Sequence, residues 1–140
     1  MLHKALNNLK PSYGGFSNTL GAETNDKIET ATFVDMRDYD LVIAYAQASN
    51  VNSDGVVTLT LLQATSTAGA GSATTTFTDT FTSTATTDTD VLQAEMRGEQ
   101  LSSGYRYAGA RLAVSSGGDA ERVSLILVQG RPRYGQHSLP

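Results

Sequence analysis

The stretch Tyr105–Gln129, YRYAGARLAVSSGGDAERVSLILVQ, decides how this chain folds. Side chains alternate across a strand, so Ala108, Ala110, Leu112 and Val114 share one face, and Tyr105, Tyr107, Gly109 and Arg111 share the other. The second run, Val123–Val128, is apolar at nearly every position, the pattern of a strand covered on both sides. Between them Ser115–Glu121 is small, polar and glycine-bearing, tolerant of positive φ, and predicts an antiparallel hairpin with a longer loop at the centre of the core. No residue in the stretch has the makings of a catalyst.

Outward from this centre the chain reads as short strands punctuated by turns. Lys27–Val34 alternates as a first strand, and Asp35–Asp38 is a polar connection. Tyr39–Gln47 (YDLVIAYAQ) is rich in β-branched and aromatic residues and predicts a buried strand. Asp54-Gly55 sits between two apolar runs, which signals a hairpin into Val56–Ala64, whose Val57, Leu59 and Leu61 share a face opposite Thr58 and Thr60. Thr65–Ala73 is a loop, because its alanines, glycines and serines bury too little to offset the entropy of ordering a packed element. In Thr74–Thr84 a strand puts Phe77 and Phe81 on one side and threonines on the other, and the β-branched content disfavours a helix. Val91–Arg97 fits a helix or a strand equally. Gly130-Arg131-Pro132 ends pairing. Some seven strands without a convincing long helix predict an all-β fold, an antiparallel β-sandwich or jelly roll with an extended N-terminal arm. The expected organisation is an arm at 1–22, a body at 23–130 and a tail at 131–140.

The totals narrow the function. At 140 residues there is one domain, with no cysteine for disulfides, thiolate metal sites or a cysteine nucleophile. No apolar run reaches the roughly 18 residues that span a bilayer, and the N-terminus lacks the pattern of a signal peptide. The net charge of −4 argues against nucleic-acid binding. Residues 23–129 hold all 14 acids and six of the ten bases, a balance of −8, whereas Lys4, Lys10, Arg131 and Arg133 make both ends mildly basic. Basic ends suit an acidic protein surface. Leu2, Leu6 and Leu9 recur at the spacing of a short amphipathic helix that Pro11 stops. Residues 12–18, with Tyr13 and Phe16, read as extended and irregular. So short a helix needs a surface to lie on, and a neighbouring molecule is the expected one.

Reactive groups are sparse. The two histidines, His3 and His137, lie in terminal segments, far from any rigid shell that could orient a triad or metal. Asn50, Asn52, Asp54 and Gly55 match the start of a calcium loop, but its twelfth position is Leu61 where a bidentate glutamate belongs, and a turn explains these residues more simply. Asp88 and Asp90, or Glu95 and Glu99, are close in sequence, although a carboxylate-pair hydrolase needs a separation in space that spacing does not supply. Gly14-Gly15 and Gly117-Gly118 lack the spacing and the following helix of a phosphate loop. The expectation is therefore no enzyme, no cofactor and no metal. Tyr105 and Tyr107, with Arg106 and Arg111 beside them, either form an aromatic and arginine patch of the interface type or cap the core with their hydroxyls in water.

Three motifs, Asp38-Tyr39-Asp40 within VDMRDYDLVIAYA (34–46), Tyr105-Arg106-Tyr107, and Gly130-Arg131-Pro132 closing VSLILVQGRPR (123–133), resemble a family of small structural proteins encoded with the head genes of tailed bacteriophages. The chain departs from that pattern at Ala108-Gly109-Ala110, where bulkier residues are usual, and in its threonine-rich middle. The resemblance implies a virion protein made in the host cytoplasm that decorates and cements the capsid exterior. Its implied partners are the major capsid protein and further copies of itself, most simply as a trimer at local three-fold positions, with no nucleic acid and no membrane. Leu2, Leu6, Leu9, Tyr13, Phe16, Tyr105, Tyr107, Arg131 and Arg133 are the expected partner-binding residues. The alternative is a β-sandwich of a tail or fibre that binds carbohydrate or protein.

Overall fold

A computed structural model describes residues 9–21, 27–85, 88–115 and 119–132. Among them, nine strands run in chain order: β1 (Leu9–Gly21), β2 (Lys27–Glu29), β3 (Val34–Asp35), β4 (Tyr39–Val51), β5 (Val56–Ala64), β6 (Ala73–Thr82), β7 (Asp88–Arg97), β8 (Tyr107–Ser115) and β9 (Asp119–Pro132). A single 3-10 turn, Gly98–Gln100, follows β7. The strands form two antiparallel sheets in the sandwich that the alternating sequence predicts. The first has the order β1-β9-β4-β7; the second has β2-β8-β5-β6, with β3 also on β8. Because β2 and β3 pair with the two ends of β8, they act as one interrupted strand. The pairs β1·β9, β2/β3·β8, β4·β7 and β5·β6 are then nested, as if the chain were folded double at the β5–β6 connection.

The core lies between the sheets. β4 contributes Val42, Ala44, Ala46 and Ala48, β5 Val57, Leu59 and Leu61, β7 Leu92, Ala94 and Met96, β8 Ala108, Ala110, Leu112 and Val114, and β9 Val123, Leu125 and Leu127, with Phe77 and Phe81 packed at its margin. The strand at Val91–Arg97, ambiguous in sequence, has the clean period of two that a one-sided sheet imposes.

Two expected hairpins are instead crossings between sheets. β8 and β9 do not pair, and neither do β4 and β5. The Asp54-Gly55 turn does form: Gly55 N–H donates to Asn52 O at 3.0 Å, and Asp54 takes φ of 67°. It turns against another loop, however, with Asp54 N–H donating to Ser83 O at 3.1 Å and Ser83 N–H to Gly55 O at 2.9 Å. Stepping from sheet to sheet covers about 10 Å against under 5 Å within a sheet, and the chain here is long enough for either. Among the described residues no group of three His, Asp or Glu side chains gathers around this turn or elsewhere.

The N-terminal stretch also differs from expectation. Residues 9–21 pair with β9 from Leu9↔Gly130 to Gly21↔Asp119, so this part of the expected arm is an edge strand of the chain's own sheet. The backbone donors and acceptors of β9 offered a nearer surface than a neighbour. Residues 1–8 and 133–140 lie outside the described residues, and with them Leu2, Leu6 and Arg133.

The residues that follow β6, Ser83–Ala85, are held by one carboxylate. Asp88 Oδ2 accepts from Thr84 N–H at 2.8 Å, Ala85 N–H at 3.1 Å and Ser83 Oγ at 3.1 Å. These donors, the Thr84 amide first, hold its pKa below the ordinary 3.8. A depressed folded-state pKa stabilises the fold above the unfolded value and loses that contribution as pH falls through the folded one. Asp88→Ala is therefore expected to melt below the parent at neutral pH, and the gap is expected to close as pH drops beneath 3.8. Thermal melts across that range check it, and a constant gap refutes it.

Candidate partner-binding face

The outer side of the β1-β9-β4-β7 sheet carries an apolar surface that the alternation creates directly. Since Ala44, Ala46 and Ala48 of β4 point into the core, Ile43, Tyr45 and Gln47 point out. Since Val123, Leu125 and Leu127 of β9 point in, Ser124, Ile126 and Val128 point out. The register aligns them: Tyr45 opposes Ile126, Ile43 opposes Val128 and Gln47 opposes Ser124. Across β7 the rows continue to Gln93, Glu95 and Val91. Across β1 they reach the positions of Tyr13, opposite Ile126, and Pro11, opposite Val128, with Phe16 opposite Ser124. Exposure is substantial at the centre, 38% for Tyr45, 45% for Ile126 and 61% for Val91. Cross-strand apolar neighbours left in water mark an interaction surface more strongly than scattered ones.

Side chains engage part of the β7 edge of this sheet. In an antiparallel pair the hydrogen-bonded and non-hydrogen-bonded residues alternate, and on β7 three odd-numbered N–H groups are engaged by side chains. Val91 N–H donates to Asp90 Oδ1 at 2.7 Å, Gln93 N–H to Asp79 Oδ2 of the other sheet at 2.9 Å, and Arg97 N–H to Gln100 Oε1 at 2.7 Å. Side chains thus occupy donors that a foreign strand would need.

The tyrosines and arginines of the central stretch lie elsewhere. Tyr107 opens β8 in the second sheet, half-buried against a small cluster of Phe33, Leu62 and Ala64. Arg106 binds Asp35 through both carboxylate oxygens, with Nε at 2.8 Å from Oδ1, and its guanidinium carbon lies 5.3 Å from the Tyr107 ring centre. The guanidinium is the main cause holding the Asp35 carboxyl below its usual range. Tyr105, also half-buried, lines a cavity of about 250 Å³ with Met36, Arg37, Gly98, Leu101 and Arg106. Arg111 reaches Glu29 at 3.8 Å. Intramolecular partners therefore engage this group.

Of the other expected binding residues, Leu9, Tyr13 and Phe16 lie on β1, at the edge of the apolar face, and Arg131 is exposed at the end of β9. Tyr45, Ile126, Val91, Ile43 and Val128 are additions that the sequence reading missed. The available signal was that polar residues share their faces, Gln47 in β4 and Ser124 in β9.

Neither a family model nor a curated protein matches the sequence. Solved structures share the shape. The PBSX exported protein XepA aligns over 94% of this chain and 40% of its own length, with a TM-score of 0.50 and 15% identity. A chain of infectious bursal disease virus, Gx strain, aligns over 91% of this chain and 32% of its own, with a TM-score of 0.56 and 6% identity. A cyclase from Fischerella sp. TAU aligns over 88% and 75%, with a TM-score of 0.51 and 12% identity. This chain spans less than half the length of the first two. At such identities the likeness is one of fold, and the fold is compatible with a β-sandwich serving as a structural or binding module.

Proposed function

We propose that this chain is a virion structural protein that decorates the outside of a capsid and stabilises it through protein–protein contacts, with the major capsid protein as partner and a trimer as the working assembly. The observation that carries this is the apolar row Tyr45–Ile126, with Ile43 and Val128 beside it, on an open sheet face. The nested strand pairing, read as a jelly roll, suits the role, because this winding recurs in viral capsid domains. So does the resemblance of three short motifs to those of phage head proteins. The chain acts by covering a seam, with no chemistry of its own. Mixing the purified chain with shells assembled from the capsid protein of the same genome tests this. Co-sedimentation at a fixed stoichiometry, with density at repeated surface positions in electron micrographs, is expected, and shells that stay bare overturn the reading.

A second reading has its own observation. Tyr45 stands opposite Gln93 and two residues from Gln47, an exposed ring beside amides on a flat sheet, which suits stacking and hydrogen bonding to a sugar. A glycan array separates the two, since a cement protein gives no saturable glycan signal.

A further inference from the structure

At the end of the sandwich where β4 begins, residues of both sheets line a cavity of about 270 Å³. Gln129 comes from β9, Phe33 and Val34 from β3 and the residue before it, Tyr39 from the start of β4 and Thr67 from the β5–β6 loop. Hydrogen bonds within the chain fix these walls. Phe33 N–H donates to Thr67 O at 2.8 Å, and Gln129 Nε2 donates to Asp35 O at 2.7 Å. The Asp35 carboxylate in turn accepts from Arg106 Nε at 2.8 Å and from Arg37 N–H at 2.9 Å. A cavity shaped in advance costs little ordering when it is filled.

Gln129 breaks the pattern of its strand. Val123, Leu125 and Leu127 turn apolar side chains into the core, and the next inward position is this amide, 3% exposed. Its Nε2 has Asp35 O, but no described residue donates to its Oε1. Every sealed side-chain atom among the described residues has a partner, so this oxygen opens onto the cavity that Gln129 lines. An acceptor so placed needs a donor. One water takes up about 30 Å³, a small part of the space. The hydroxyls of Tyr39, Thr67 and Thr32, which also line it, have no partner among the described residues. Charge then decides the class of ligand. The charged residues of the lining are Asp35 and Asp38, and each is paired with an arginine, Asp35 with Arg106 and Asp38 through Oδ1 with Arg37 at 3.4 Å. Two carboxylates against two guanidiniums leave no net charge for an ion to answer. What remains is a set of acceptors and hydroxyls beside apolar Phe33 and Val34, the complement of a neutral molecule rich in O–H donors that also has an apolar face. A pyranose ring has hydroxyls around its rim and C–H groups on its faces.

We infer that this cavity binds one neutral sugar ring, with Gln129 Oε1 and Asp38 Oδ2 accepting hydrogen bonds from its hydroxyls. The site is separate from the flat outer face of the other sheet side, so the inference goes beyond the capsid-contact reading and does not rest on it.

NMR titration of the full chain with the methyl α- and β-glycosides of glucose, galactose and mannose tests it. At least one is expected to bind saturably, with a Kd of about 0.1–10 mM, the range open to one small polar ligand, and to shift the amides around Thr67 and Gln129. The matching uronate is expected to bind about tenfold or more weakly, because its carboxylate would meet acceptors. D38A removes an exposed carboxylate and is expected to weaken binding about tenfold or more at an unchanged Tm. Q129M is expected to weaken it likewise, and D38A carries the test if Q129M melts low for want of the bond to Asp35. Absence of saturable binding, or equal binding by D38A, overturns the inference and leaves the capsid reading standing. Bare shells in the co-sedimentation experiment overturn that reading and leave this one standing. Binding lost in Y45A but kept in D38A puts the sugar on the flat face and overturns the inference. Uptake of n-butylammonium without any sugar makes this a cation site and overturns it too.

Discussion

Truncating Leu125 to alanine is expected to cost about 2–5 kcal/mol, the range for a buried leucine replaced without collapse of the site. The same truncation at Ile126, the next residue, is expected to change stability by no more than about 0.5 kcal/mol, as at other surface positions. Leu125 is fully buried, opposite Ala46 of β4, whereas Ile126 is 45% exposed opposite Tyr45. The gap between them follows from the period of two and from the single covered side of β9. Urea titrations of both variants decide it. Similar losses at the two positions would mean that β9 is covered on both faces. Ile126 would then be unavailable to a partner, and the proposed docking face would fall with it.

This contrast also marks where the sequence stops being informative. Strands were legible because alternation is local: Val57, Leu59 and Leu61 on one face of β5 follow from spacing alone, as do Phe77 and Phe81 on one face of β6. The side of β9 that faces water was not legible. Ile126 and Val128 are apolar, and an apolar residue looks the same in sequence whether its own chain or another molecule covers it. Pairing was illegible for a different reason. Asp54-Gly55 and the Ser115–Glu121 link both turn the chain, and a turn of that length leads either to a neighbouring strand or to the opposite sheet. Only the summed burial of distant strands selects between these outcomes. The β1·β9 pairing joins residues from the two ends of the chain, Leu9 with Gly130 and Gly21 with Asp119, and no local pattern in residues 9–21 announces it. For the binding residues the consequence was divided. Tyr13 and Phe16 fall on rows of the apolar face, while Tyr105 and Tyr107 lie in the other sheet, because β8 and β9 separate where a hairpin would have kept them together.

Replacing Phe33 by alanine is expected to cost about 3–5 kcal/mol, the range for a buried aromatic, and Gly109→Ala about 1–3 kcal/mol by overpacking the same site. Phe33 is 4% exposed and covers the outer side of β5 at Leu62 and Ala64, which is why the end of that strand is dry on both faces. Its backbone N–H donates to Thr67 O at 2.8 Å, pinning it beneath the β5–β6 loop. A Cβ on Gly109 would lie 2.6 Å from the ring and 2.7 Å from Thr30 Oγ1. Neither neighbour yields easily. The Thr30 hydroxyl accepts the Ala110 N–H at 3.1 Å, and across the ring a Cβ on Gly69 would be only 2.7 Å away. Glycine at 109 therefore makes room for an aromatic supplied from 76 positions earlier. If so, the penalty for Gly109→Ala depends on the ring. In a Phe33→Ala background it is expected to shrink, with a coupling of about 0.5–3 kcal/mol in a double-mutant cycle. Strict additivity of the two changes would separate Gly109 from Phe33 and require another reason for the missing side chain.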